Sequence, residues 1–232
     1  GIGLRLSFEA ANELKDKKKL AQLKKWLQEN NQYIFTINGF AYGNFHDNKL
    51  KEYVHYPDWQ SKERVTYTKQ LFDILSEIIE PKSSGGISTS PISYKHWHRT
   101  KKKKDIAKKE ATKNYIKIAC YAHELSKKTN RHLHLDIEPE PDGLIENSKE
   151  MIHFFNEYLV KYGTPMIQTK LNVSIQQAKD ILYNHLQCCF DICHFSVEFE
   201  PITAAIKKII NANIKIGKIQ ISAALSSGPI TN

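Results

Sequence analysis

Along the chain, short apolar runs with a two-residue alternation recur between longer stretches in which leucine and isoleucine return every three or four positions. That succession predicts parallel strands joined by helices, an α/β fold. Strands are expected at 1–6, 33–38, 87–90, 132–137, 188–192 and 214–222. A first helix, capped by Ser7, carries Leu14, Leu20, Leu23 and Leu27 and stops at Asn30-Asn31. A second, capped by Ser61, carries Val65, Leu71, Ile74, Leu75 and Ile78, and Pro81 with Gly85-Gly86 ends it. The basic stretch 99–109 continues as a helix to about 129, another is expected over 148–162, and Ser174 caps a helix to about 186 that reads as an insertion. Pro201 suits the first turn of the last helix. The long loop 39–60 carries Tyr53, Tyr56 and Trp59, which either cover a pocket or anchor the loop.

Strand–helix units in series suggest a (β/α)8 TIM barrel. A complete barrel takes about 250 residues, and this chain has 232 and begins and ends close to strands. The expectation is therefore a single barrel domain over 1–232 whose first and last units are absent. A 41% hydrophobic, 25% charged composition excludes disordered and collagen-like chains. The net charge of +9 leaves nucleic acid, phosphorylated metabolites and acidic membrane faces open as partners. The four cysteines, two of them adjacent at Cys188-Cys189, do not form a disulfide framework, which favours a reducing compartment. Without an apolar run near ~18 residues, or a basic and apolar start, the reading is cytoplasmic with no membrane insertion.

The fourth strand places His132, His134, Asp136 and Glu138 on one face and Leu133, Leu135 and Ile137 on the other. In a barrel the polar column points inward and ends with Glu138 at the carboxyl end, where barrel enzymes hold their chemistry. An antiparallel strand with one wet face is the plainer alternative. The fifth strand ends in Asp191-Ile192-Cys193-His194, and Gln220 shares a face with Lys218 on the sixth. Carboxylate oxygen, imidazole nitrogen and amide oxygen together suit a divalent ion such as Mn, Mg, Co or Zn, although such residues at strand ends are more often structural. Arg5, Asn38, His46, Ser88 and Lys95 fall near strand ends and are candidates for binding substrate, or for holding turns; Arg5 also has Asp136 as a possible interior partner. The run Lys101 to Lys104 reads as a solvated helix face before it reads as a nucleic-acid contact, because no aromatics interleave it.

Glu138-Pro139-Glu140-Pro141 after one strand and Asp191-x-x-His194 after the next resemble the xylose-isomerase-like TIM barrels, which include sugar isomerases, ketose epimerases and endonuclease IV. The same segments, with 1–7, 38–46, Pro57-Asp58-Trp59, Ile87-Ser88-Thr89 and 218–222, are similar to the EboE metabolite-traffic proteins over most of the chain. The resemblance implies an (α/β)8 fold with Glu138 and Asp191 as metal ligands and His194 binding metal or a substrate oxygen. Glu140 stands where sugar isomerases often carry Lys, Gln220 stands where epimerases usually carry a ligand His, and the last-strand Glu has no counterpart. The implied protein is a divalent-metal-dependent isomerase or epimerase of a sugar-like or small polar metabolite, linked to secondary-metabolite precursor processing or traffic. Glu138, Glu140 and His194 would be its catalytic groups, Glu140 shuttling a proton, and Gln220 a weak fourth ligand. A non-catalytic metabolite carrier on the same fold is the alternative. An endonuclease IV-like DNA enzyme ranks below both, since its His-rich zinc constellation is not visible here.

Overall fold

The computed structural model describes residues 1–43 and 51–223. The described strands are β1 (Ile2–Arg5), β2 (Ile34–Asn38), β3 (Ser84–Thr89), β4 (His132–Ile137), β5 (Leu186–Asp191) and β6 (Ile216–Gln220). They pair side by side in chain order, every pair parallel. The sheet is curled, because side chains of β6 reach across it: Lys218 Nζ donates to Ser88 Oγ on β3 at 3.1 Å, and Gln220 Nε2 to Glu138 Oε1 beyond β4 at 2.7 Å. Among the described residues β1 and β6 share no ladder, so the expected eight-stranded ring is here a six-stranded half-barrel.

Helices cover the convex face. α1 (Phe8–Glu13) and α2 (Lys17–Glu29) form in place of one continuous helix, since the Asp16 carboxylate accepts from Lys18 N at 2.8 Å and caps a new start. α3 (Lys62–Ile78) buries Leu71, Phe72, Ile74 and Leu75, and α4 (Lys101–Thr129) buries Tyr115, Ile118, Ala119 and Ala122. α5 (Ser148–Phe154) runs through a π-helical stretch, Phe155–Gly163, into α6 (Thr164–Leu171), well beyond the expected end at 162. α7 (Ile175–His185) is no insertion. It packs against α4, β4 and β5, buries Ala178, Ile181 and Leu182, and passes straight into β5, so it is the crossover helix itself. α8 (Ile192–Val197) and α9 (Ile202–Asn211) complete the described helices.

Leu133, Leu135 and Ile137 of β4 are fully buried under the helices, while His134, Asp136 and Glu138 are buried on the concave side. A column of this kind needs space. It is supplied by Gly86 on β3, where a Cβ would lie 2.1 Å from Asp136 Oδ2, and by Gly217 on β6, where it would lie 2.0 Å from Asp136 Oδ1. β3 accordingly starts at Ser84 rather than 87: Gly86 passes the polar column, while Gly85 packs against Ile79 and Leu75.

Replacement of either glycine by alanine must displace a buried carboxylate. Gly86→Ala and Gly217→Ala are each expected to lose about 2–4 kcal/mol of stability in denaturant unfolding. Gly43→Ala, where a Cβ meets nothing within 4 Å, should stay within roughly 0.5 kcal/mol of the parent.

Candidate metal centre

At the carboxyl ends of the strands a cavity of about 310 Å³ is lined by Arg5, Asn38, Glu138, Glu140, Asp191, His194 and Gln220, with Phe40, Ala41 and Val54 as its apolar wall. Each polar group is placed by a local device. Glu138 follows β4 directly, its N–H bonded to Thr89 O at 3.0 Å. Glu140 sits in a braced turn, its N–H bonded to Ile145 O at 3.0 Å and its carbonyl accepting from Gly143 N at 2.9 Å. Asp191 ends β5 and caps α8: Oδ1 accepts from Cys193 N at 2.9 Å, His194 N at 3.4 Å and Ser222 Oγ at 2.5 Å. The first turn of α8 then carries His194 to the cavity.

The His194 ring is oriented by the backbone. Its Nδ1 lies 2.9 Å from Pro139 O, and a carbonyl only accepts, so Nδ1 carries the hydrogen and Nε2 faces the carboxylates. Nε2 is 3.1 Å from Glu140 Oε2 and 3.9 Å from Asp191 Oδ2, while Nδ1 is 3.7 Å from Glu138 Oε1. One ligand atom from each of Glu138, Glu140 and His194 lies within 4.8 Å of the other two. Glu138 Oε2 is buried with no hydrogen-bond partner among the described residues, and burial pushes the Glu138 carboxyl above its ordinary value. A desolvated carboxylate oxygen without a donor among the described residues, beside a second carboxylate whose oxygen lies 3.1 Å from an imidazole nitrogen, is a donor set that fits a divalent cation.

Gln220 departs from the expected amide-oxygen ligand. Its Nε2 donates to Glu138 Oε1 and to Asp191 Oδ2, both at 2.7 Å, because two carboxylate acceptors on either side demand the N–H₂ end. Gln220 thereby ties the tips of β4 and β5 together. Asp191 has both oxygens engaged and, unlike Glu140, stands outside the tight triplet.

The remaining candidates separate. Arg5 and Asn38 line the cavity, and Asn38 Oδ1 also accepts from Phe40 N at 3.0 Å, turning the chain away from β2. Ser88 is fully buried below the cavity on Lys218. Lys95 lies outside the lining, bonded to Glu146 at 2.5 Å and to Asp142 at 3.2 Å. Asp136, a candidate partner of Arg5, instead takes His134 Nδ1 at 2.7 Å. His46 lies outside the described residues. Trp59 anchors its loop: it is fully buried, stacks on Tyr115 at 4.2 Å and donates to Thr89 Oγ1 at 3.1 Å, whereas Tyr53 and Tyr56 are exposed. Lys101 to Lys104 are exposed on the first turn of α4, and Lys104 lines a separate cavity of about 410 Å³ with Lys95, His96, His98 and Arg99. A larger groove of about 740 Å³ runs between α2 and α3, but its carboxylates Asp73 and Glu77 are taken by Tyr121 and Lys24.

Two contributors escape sequence inspection. Ser222 continues the alternation Lys218, Gln220, Ser222 and so was accessible in principle. Arg64 was not: fully buried in α3, it donates to Pro57 O, Gly39 O and Phe40 O at 2.7–2.9 Å and holds the loop that forms the cavity's apolar wall.

No family model and no curated protein matches the chain, so membership of the EboE family is not shown. Solved structures do. The zinc-bound crystal structure of the IolI protein aligns with a TM-score of 0.51 and 14% identity over 94% of this chain. The chain spans 61% of that protein's length. Apo 3-keto-D-glucoside 4-epimerase YcjR from E. coli aligns with a TM-score of 0.47 and 9% identity, over 98% of this chain and 93% of its own. The likeness is one of fold: a curled, parallel six-stranded α/β half-barrel.

Proposed function

We propose that this protein is a divalent-metal-dependent isomerase or epimerase of a sugar-like, polar metabolite, with Glu138, Glu140 and His194 as the ion's ligands. The observation that carries the reading is the triplet itself, with a partnerless buried oxygen on Glu138 and a backbone-fixed imidazole. A bound ion would polarise a substrate carbonyl and stabilise negative charge beside it. The residues do the rest. Glu140, the most exposed of the three with 28% of its side chain open, accepts a proton from the carbon next to that carbonyl at a carboxylate oxygen and returns it to the neighbouring position. Gln220 and Asp191 hold Glu138 and the start of α8 in register. Arg5 and Asn38 at the rim meet substrate oxygens or an acidic group. That IolI was crystallised with zinc supports the ion.

A carrier without catalysis is the second reading, favoured by the neutral Gln220 amide lying between two carboxylates. Proton exchange separates the two. In D₂O with a panel of ketoses and keto-sugars, an isomerase incorporates deuterium at carbon, read by NMR, and Glu140→Gln should slow it by about 10²-fold or more. A carrier binds without exchange.

Protein purified without chelator should bind one equivalent of Mn, Co, Zn or Mg at this centre and melt at higher temperature with it. His194→Ala and Glu138→Gln should abolish that gain, and absence of any gain with all four ions in the parent would remove the reading.

Glu138 also makes a pH-dependent contribution. Its carboxyl is raised on folding, so stability is fully present below the ordinary glutamate value and is lost as pH climbs through the folded value. The metal-free Glu138→Gln variant should therefore melt above the metal-free parent at pH 7, by about 2–8 °C for a gain on the order of 1–2 kcal/mol. That difference should close toward about pH 4.

A further inference from the structure

Four imidazoles line up at the opposite end of the sheet, where the strands begin. His123 on α4 faces His185 at the end of α7, with ring centroids 5.3 Å apart; His185 lies 5.6 Å from His132, and His132 lies 5.4 Å from His134, both on β4. His185 Nδ1 is 2.6 Å from Leu133 O, so it carries the hydrogen and leaves Nε2 with a lone pair. That Nε2 accepts from His123 Nδ1–H at 3.2 Å, a hydrogen that an ion bound between the two nitrogens would displace. The group opens on a cavity of about 430 Å³ with Lys82, Lys127 and Arg131 among its lining residues and no carboxylate.

We propose that His123 and His185 form a second metal site, for an ion of the Zn, Ni or Cu class, independent of the carboxylate centre. Two nitrogens at 2.0–2.1 Å from one ion stand about 2.8–3.4 Å apart at square to tetrahedral angles, and the observed 3.2 Å falls within that span. The Leu133 carbonyl does for His185 what outer-sphere acceptors do for metal-bound histidines, fixing tautomer and ring orientation. An imidazole-only set selects Zn, Ni and Cu over Mg and Mn. Burial lowers His123 and holds His185 down to about 4, so both rings are neutral at pH 7, the protonation state that ligation needs. His132, its Nδ1 engaged by Ser84 Oγ at 3.0 Å, is the nearest further imidazole, and the three cationic rim groups favour an anion or water in the remaining position. Such an ion would tie α4 to the α7–β5 junction across 62 residues of sequence.

The test uses the full chain carrying Glu138→Gln, Glu140→Gln and His194→Ala, which removes the upper centre. Titration with Ni²⁺ and Cu²⁺, followed by calorimetry and by Cu²⁺ electron paramagnetic resonance, should show one equivalent bound with nitrogen hyperfine structure. It should show no binding of Mg²⁺. Adding His123→Ala, a change that keeps a good helix former in α4, should weaken binding by about tenfold or more and reduce the nitrogen count by one. If the triple variant does not fold, the parent is titrated with and without His123→Ala, and the expected result is loss of one class of Ni²⁺ site. No Ni²⁺ or Cu²⁺ binding, or binding unchanged by His123→Ala, overturns the proposal. Because the upper centre is absent from the first arm, failure there says nothing against the carboxylate reading.

Discussion

The interior of this half-barrel is governed by the cost of burying charge. Asp136 is fully buried and Glu138 nearly so, and burial raises both carboxyls. The structure offsets that cost with a small set of donors: His134 for Asp136, Gln220 for Glu138, and Lys218 close enough to lower both. It also has to make room, and the two glycines beside Asp136 are the geometric counterpart of that electrostatic requirement. Curling of the sheet serves the same need at Glu138, whose donor Gln220 comes from β6, two strands away.

The acidic tip of β4 and the Asp191–His194 corner after β5 are coupled through shared atoms rather than by proximity alone. Asp191 caps α8, α8 carries His194, His194 bonds back to Pro139 between the two glutamates, and Gln220 closes the circuit. Each side chain is held by a group that is itself held, which is the condition for presenting ligands or a base with little reorganisation. Among the described residues Glu138 Oε2 is left partnerless at the cavity, as is Asp136 Oδ2 deeper on the same strand.

Much of the fold was legible because periodicity reports burial. The β4 alternation placed its leucines and isoleucine under helices and its polar column inside, and the caps Ser7, Ser61 and Ser174 each accept from a backbone N–H of the helix they open. The failures have local causes. Asp16 in a leucine-periodic stretch split one helix into two, and Gly85-Gly86 looked like a terminator because the reason for Gly86 lies on β4, some fifty residues away. Ser174 looked like the start of an insertion because nothing local shows that α7 packs on α4 and the sheet.

Sequence alone determined the succession of strands and helices and which residue types stand at the strand ends, because both depend on neighbours within a few positions. Only the tertiary structure decided that Glu138, Glu140 and His194 meet, that Gln220 offers nitrogen rather than oxygen, that Lys95 and Ser88 are engaged elsewhere, and that His123 reaches His185. Those outcomes depend on contacts between residues tens of positions apart, where curl, register and the competition of acceptors for donors set the distances. No spacing along the chain encodes them.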